Sequence, residues 1–185
     1  MKIENFKLKI QDYLAVGIII LFAVILRLVP HPPNIAPIAA LALFGGVYLD
    51  KRLAIVLPLF VMILSDAFIG FHNTILFVYG SFVLTGLLGL WVRSRKSIVT
   101  IGGGALISSL LFFLITNFGV WMQGTLYPKT IDGLWHAYVM GLPFLRNTMM
   151  GDLFYAGVLF GGYEVFRKCA WIFSQNIKSQ ASNSK

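Results

Sequence analysis

Ionisable side chains stand inside apolar stretches of this sequence. Asp66 and Asp152 lie within segments long and apolar enough to cross a bilayer, and Arg146 and Asn147 begin the segment that holds Asp152. A charged side chain at membrane depth costs about 3 kcal/mol or more, so it usually faces a partner or a water-filled cavity. Side chains of these types can also bind a small polar ligand, and we take them as candidate substrate contacts.

Asp66 has two interpretations. As a functional group, it would bind a cationic or hydrogen-bonding part of a ligand. As a structural group, it would pair with Arg27 or Arg146 and hold helices together. The functional interpretation is favoured, because a buried ion pair gains little stability for its desolvation cost. Arg27 ends an apolar segment, where the commoner role of an arginine is to extend its guanidinium toward the lipid headgroups.

Further candidate contacts stand at the ends of two later segments. Asn117 and Trp121 are both candidate substrate contacts, because an amide beside an aromatic ring suits a ligand that has a ring and polar edges. Hydrogen bonding between helices is the alternative for Asn117. Arg146 either binds an anionic group or extends to the headgroups. Asn147 follows it directly, and Asp152 lies about one and a half turns into the same span.

A proline-rich loop, which contains His31 and Asn34, is expected to cover the mouth of such a site and to gate it. The loop is stiff because each proline fixes its φ angle. His31, His72 and His136 could together with Asp66 bind a divalent cation. No histidine pair has the spacing of a helical metal motif, so neither a metal site nor a cofactor is predicted.

Composition identifies the environment of these residues. The chain has 185 residues, of which 58% are hydrophobic and 12% charged, and its mean hydropathy is +0.81. A soluble domain carries about 25% charged residues. The net charge is +8, but the basic residues punctuate the apolar runs instead of forming one patch. This pattern is typical of membrane topology signals and argues against nucleic-acid binding.

The apolar runs predict an all-α membrane protein with a bundle of six transmembrane helices. A span needs about 20 mostly apolar residues. A single transmembrane domain, 13–168, is predicted between a cytoplasmic segment 1–12 and a cytoplasmic, disordered tail 169–185. The predicted spans are about 13–29, 35–49, 53–71, 74–92, 98–120 and 147–166. Segment 35–49 is short for a crossing.

The distribution of basic residues predicts the orientation. With six spans, twelve of the fifteen lysines and arginines fall on one side, and only Arg27, Lys129 and Arg146 fall on the other. Cytoplasmic loops carry the excess of positive charge, so both termini are expected inside the cell. The last outer loop has apolar residues at helical spacing before Pro143 and predicts a short amphipathic helix on the outer surface. An interfacial loop anchored by aromatic residues is the alternative.

Several strings carry a family resemblance that covers about residues 20–165. They are Arg27-Leu-Val-Pro-His-Pro-Pro-Asn34, Ala39-Ala-Leu-Ala-Leu-Phe-Gly-Gly46, Leu64-Ser-Asp66, Thr116-Asn-Phe-Gly-Val-Trp121 and Arg146-Asn-Thr-Met-Met-Gly-Asp-Leu-Phe-Tyr155. The chain resembles a family of small, uncharacterised bacterial membrane proteins that are described as transport proteins. That family is distantly similar to the substrate-binding (S) components of energy-coupling factor (ECF) transporters.

The resemblance implies a substrate-binding subunit that captures a vitamin or another micronutrient in an outward-facing polar cavity of the bacterial inner membrane. A transmembrane coupling subunit and cytoplasmic ATPases would then energise import. The chain itself has no nucleotide-binding motif, and we do not expect it to be an enzyme. An intramembrane aspartyl protease is disfavoured because the Gly-x-Gly-Asp context is absent. The alternative function is a non-transport scaffold of an envelope or cell-shape complex.

Overall fold

The computed structural model describes residues 18–19, 21–30 and 34–183, and every regular element in them is an α-helix. The prediction of an all-helical protein is confirmed. Helix α1 comprises residues 18–19 and 21–28. Five more helices follow it: α2 (Ile38–Tyr48), α3 (Lys51–Ile69), α4 (Ile75–Arg93), α5 (Ile98–Gln123) and α6 (Ile131–Asn183). The predicted N-terminal segment 1–12, the start of the first predicted span and His31 lie outside the described residues.

Three of the described helices are long and apolar enough to cross a membrane. They are α3, α4 and α5, with mean hydropathies of 2.1, 2.0 and 2.3 over their most apolar windows. Many large apolar side chains on their outer faces are exposed, among them Phe68, Leu76 and Ile107. Such exposure suits a lipid environment, because hydrocarbon chains solvate these side chains as well as a protein core does.

Helix α2 lies at the centre of the bundle. Ten of its eleven residues are buried, and it packs against α3, α4, α5 and α6. Its sequence is apolar on every side, which is the pattern of a helix surrounded by other elements. At about 16 Å it is too short to cross a hydrocarbon core alone. Its neighbours surround it, so its length does not have to match the lipid.

Glycines allow α2 and α4 to touch through their backbones. A Cβ atom on Gly46 would lie 2.4 Å from the carbonyl oxygen of Gly86 and 2.5 Å from the Cα of Gly89. A Cβ on Gly89 would lie 2.5 Å from the carbonyl oxygen of Leu43. Only a residue without a side chain permits this approach, which is the usual role of small residues between membrane helices.

One end of the bundle gathers the basic residues and is called the basic end below. It consists of the α2–α3 turn, the α4–α5 turn and residues 164–168 of α6. Asp50 caps α3 by accepting from the backbone N–H groups of Arg52 (2.9 Å) and Leu53 (3.0 Å). The Arg93 guanidinium donates to the Gly46 carbonyl at 2.7 Å. It therefore occupies a carbonyl near the end of α2, where backbone acceptors lack helical partners.

Helix α6 differs from the sequence prediction. The predicted amphipathic helix, the span 147–166 and most of the predicted tail form one helix of 53 residues, about 80 Å long. Pro143 lies inside it. A proline normally kinks or ends a helix. Here contacts with α5 hold α6 on both sides of Pro143, because the Tyr138 hydroxyl donates to the Leu114 carbonyl at 3.0 Å and Ser109 contacts Asp152.

The predicted disordered tail, 169–185, is helical as far as Asn183. The prediction rested on the polar composition of this segment. However, no glycine or proline follows Gly162 in the sequence, so the tail contains neither of the residues that most strongly oppose helix continuation.

Candidate functional site

A cavity of about 480 Å³ lies between the helices at the end opposite the basic end, which is called the cavity end below. All six helices contribute to its wall, and so do the residues that connect α1 to α2. Its volume falls within the usual range of small-molecule sites. The lining residues are Arg27, Leu28, Val29, Pro30, Asn34, Ala36, Ile38, Ala39, Met62, Ile69, Phe82, Phe112, Thr148 and Asp152.

Helix α6 supplies a buried carboxyl group to the cavity. Asp152 is only 2% exposed, and its Oδ2 lies 2.6 Å from the hydroxyl of Ser109 on α5. Thr148 lies one turn earlier and lines the same cavity, because residues four apart share a helix face. The Thr148 hydroxyl donates to the carbonyl of Phe144 at 2.8 Å. Helix α6 therefore supplies two polar groups to the cavity, and Ser109 of α5 contacts one of them from outside the lining.

Aromatic rings form an apolar part of the wall. The rings of Phe82 and Phe112 lie 5.4 Å apart between centroids, at an interplanar angle of 30°, within the range of favourable aromatic pairs. Both residues line the cavity. The site therefore combines an apolar surface with few polar groups, as most ligand-binding sites do.

A buried ion pair adjoins the cavity, with Arg27 in the wall and its partner Asp66 behind it. Arg27 Nη2 lies 2.7 Å from Asp66 Oδ1, and the side chains are 15% and 0% exposed. Arg27 also donates to the Ser65 hydroxyl, and the Tyr79 hydroxyl donates to Asp66 Oδ2 at 2.7 Å. The expectation that Arg27 extends to the headgroups is wrong, because the buried Asp66 attracts its guanidinium inward.

Asp66 thus has the structural contact that the sequence left open as an alternative. It is not among the residues that line the cavity. A third neighbour of Asp66, after Arg27 and Tyr79, is His72, whose Nε2 lies 4.0 Å from Asp66 Oδ2. Within the described residues, no group of three or more His, Cys, Asp or Glu side chains is placed to hold a metal ion.

Two other predicted ligand contacts lie away from the cavity. The Asn117 amide donates to the Phe113 carbonyl at 2.8 Å, and the side chain lies against Gly141 of α6, where a Cβ would be 2.4 Å from Asn117 Oδ1. Trp121 Nε1 donates to the Pro128 carbonyl at 2.9 Å. Asn117 therefore packs between α5 and α6, and Trp121 fastens the loop that joins them.

The remaining candidates have different positions. Asp152 and Asn34 line the cavity, whereas Arg146 and Asn147 do not. Arg146 is exposed and Asn147 is half-buried. Asn34 has a φ of 63°, a left-handed conformation that asparagine tolerates better than most residues. A gating role for Asn34 and His31 stays a prediction, and His31 lies outside the described residues.

Sequence reasoning missed several residues that build the site. The position of Thr148 four residues before Asp152 is a signal that could have identified it. Ser109 and Tyr79 gave no such signal, because their partners lie 43 and 13 residues away in the chain. Only the packing of the helices brings these hydroxyls to the carboxyl groups.

A second polar cluster lies at the basic end. Glu164 Oε1 accepts from Lys96 Nζ and from the Tyr48 hydroxyl, each at 2.7 Å. Burial lowers the pKa of Lys96, but the hydrogen bonds to Glu164 and Tyr48 outweigh it, so the pKa is raised above the usual value. The cluster ties α2, the α4–α5 turn and α6 together away from the cavity.

Comparison with known proteins gives one match. The model of a family of unknown function (DUF6580) matches residues 7–175. No curated protein and no solved structure matches the chain. The match agrees with an uncharacterised family and gives no support for the resemblance to S components of ECF transporters.

Proposed function

Because the chain belongs to DUF6580, a family of unknown function, we propose a function from its geometry: it is a membrane transport protein that binds a small molecule in the cavity between its helices. The observation that carries the proposal is the cavity itself. It has a volume of about 480 Å³, its wall takes residues from all six helices, and it contains a buried carboxyl group.

The proposal includes a crossing of the bacterial inner membrane by all six helices. Three helices have the length and hydropathy of spans, and α1, α2 and α6 pack with them. The basic end collects seven lysines and arginines of the described residues: Lys51, Arg52, Arg93, Arg95, Lys96, Arg167 and Lys168. By the positive-inside rule this end faces the cytoplasm. The cavity end then faces outward, as import requires.

The finer form of the proposal is a subunit that resembles an S component and captures a micronutrient such as a vitamin. The support for it is the resemblance of the sequence strings described above, together with the outward cavity. The sequence has no phosphate-binding loop. A coupling subunit and cytoplasmic ATPases would therefore supply the energy.

A scaffold in an envelope or cell-shape complex is the second candidate. Three predicted ligand contacts favour it, because Asp66, Asn117 and Trp121 bind other parts of the same chain. A scaffold requires no ligand in the cavity. The two functions therefore differ in whether a small molecule occupies it.

The test is native mass spectrometry of the protein gently purified in detergent. Ala36 lines the cavity, and Ala36→Trp places an indole there. Ala67 is exposed on α3, and Ala67→Trp is the matched control. We expect a small molecule that co-purifies with the wild type and with Ala67→Trp but is lost from Ala36→Trp. An empty wild-type protein that no member of a vitamin and nucleobase panel stabilises would favour the scaffold instead.

A further inference from the structure

The two buried carboxyl groups at the cavity end differ in their charge balance. Asp66 is neutralised by Arg27 at 2.7 Å. Asp152 is equally buried, yet within the described residues no Lys, Arg or His nitrogen lies within 4.0 Å of its carboxyl oxygens. An ionised carboxylate in an apolar interior requires a compensating charge.

Ser109 does not supply that charge. Its hydroxyl lies 2.6 Å from Asp152 Oδ2 and 3.0 Å from the Ala105 carbonyl oxygen. A hydroxyl has one hydrogen, so it can donate to only one of these two acceptors at a time. Even when it donates to Asp152, it contributes a dipole and not a positive charge. The charge of Asp152 stays available to a ligand.

The charges of the cavity wall select the sign of that ligand. Arg27 lines the cavity and is neutralised by Asp66 behind it, so Asp152 leaves the site with one net negative charge. A cation would bring the sum to zero. An anion would add a second negative charge to a site that already holds the unpaired Asp152 carboxylate, and like charges at one site are unfavourable.

The rest of the cavity indicates the body of the ligand. Phe82 and Phe112 line it, as do aliphatic side chains such as Ile38 and Met62. Such a wall favours an apolar or aromatic group, and aromatic faces also attract cations. A compact molecule with an amine at one end and an apolar body matches both parts of the site.

We propose that the substrate of this transport protein is a small organic cation, whose ammonium group pairs with Asp152 while its apolar body lies against Phe82 and Phe112. This inference rests on the proposed function, because it names the substrate class of the same cavity. The competing occupant of Asp152 is a proton, which would make the carboxyl group neutral without any ligand.

The test compares three probes of similar shape and different charge: 2-phenylethylammonium, neutral 2-phenylethanol and anionic 3-phenylpropionate. Isothermal titration calorimetry with wild-type protein in detergent measures their affinities. The same titration of Ala36→Trp, whose cavity is filled by the indole, measures the heat of probe partition into the detergent micelle. We expect 2-phenylethylammonium to bind at least about tenfold more tightly than the other two probes, because a hydrogen bond to a charged group contributes that much binding free energy. This comparison needs no variant of Asp152.

Variants of Asp152 then locate the charge. Asp152→Asn should lower the affinity for 2-phenylethylammonium by at least about tenfold and leave the affinity for 2-phenylethanol unchanged. Asp152→Glu should keep most of the preference for the ammonium over the alcohol. Equal affinities for the ammonium and the alcohol would show that Asp152 binds only a proton and would overturn the inference. So would unchanged ammonium binding by Asp152→Asn.

Two outcomes separate this inference from the proposed function. Tighter binding of 3-phenylpropionate, or a co-purifying species without a basic nitrogen, would overturn the inference that the substrate is a cation. The proposal that the cavity binds a small molecule would still hold. Failure of all three probes to bind, together with an empty wild-type protein in the mass spectrometer, would overturn both.

Discussion

At the scale of single residues, the cavity end shows how an apolar helical bundle tolerates charge. Asp66 is fully buried, and its two oxygens meet Arg27 and Tyr79 at 2.7 Å each. Arg27 in turn reaches the Ser65 hydroxyl. A buried ion pair compensates its desolvation only when further hydrogen bonds satisfy both partners. Tyr79 donates to Asp66 Oδ2, whereas Asp66 Oδ1 has the ion-pair contact with Arg27 and no hydrogen bond. The attraction of this buried carboxylate is why Arg27 points inward.

This arrangement predicts strong coupling between Arg27 and Asp66. Asp66→Asn leaves the Arg27 guanidinium unpaired and should lower the free energy of unfolding by about 3 kcal/mol. Arg27→Met leaves the Asp66 carboxylate unpaired and should cost a similar amount. The double variant removes both charges, so its loss should be well below the sum of the two. Chemical unfolding in detergent measures all three.

The matched control is Asp132→Asn, which changes an exposed acid in the first turn of α6. It should change the free energy of unfolding by less than about 1 kcal/mol. If the losses of Arg27→Met and Asp66→Asn simply add, the two residues are not coupled and the ion pair does not hold the bundle.

At the scale of the elements, α2 organises the bundle. It packs against four other helices, and its crossing with α4 depends on facing glycines. A change in the position of α2 also changes the cavity, because Ile38 and Ala39 of α2 line it. Any substitution that moves α2 away from α4 therefore alters both stability and the site.

The glycine contact gives a prediction with a control inside the same protein. Gly46→Ala places a methyl group 2.4 Å from the Gly86 carbonyl oxygen, so the two backbones must separate at a cost of about 1–3 kcal/mol. Gly102→Ala in α5 meets no atom within 4 Å and should be neutral or stabilising by up to about 1 kcal/mol. Thermal unfolding in detergent compares the two, and an equal response would rule out close packing at Gly46.

At the scale of the whole molecule, the two ends of the bundle have different chemistry. The cavity end holds the buried acids, whereas the basic end holds Arg93, Lys96 and their partners. Successive helices from α2 to α6 run in alternating directions between these ends, as shown by the contacts of Gly46 with Arg93 and of Lys96 with Glu164. This polarity is what the proposed orientation in the membrane depends on.

Cysteine labelling tests that orientation. Cys169 is the only cysteine of the chain and is exposed on α6. In a Cys169→Ser background, Asn73→Cys in the α3–α4 connection should react with a membrane-impermeant thiol reagent in intact cells. Ser94→Cys in the α4–α5 turn, and native Cys169 in the unchanged protein, should react only after permeabilisation. Labelling of Asn73→Cys and Cys169 from the same side would contradict six spans.

The sequence by itself determined the class of the protein. Composition and apolar runs predicted an all-helical chain, which is confirmed, and three helices have the length and hydropathy of spans. These properties depend on local composition alone. The sequence also identified Asp66 and Asp152 as the informative acids, because a charge inside an apolar run stands out without any knowledge of its neighbours.

Only the tertiary structure decided what these residues contact. The partner of Asp66 lies 39 positions earlier in the chain and the hydroxyl beside Asp152 lies 43 positions earlier, and no local pattern encodes such distances. The same holds for α2, whose short apolar sequence is explained once four helices surround it. Helix formation follows from nearby residues, whereas the pairing of charges and the walls of a cavity follow from how whole helices pack.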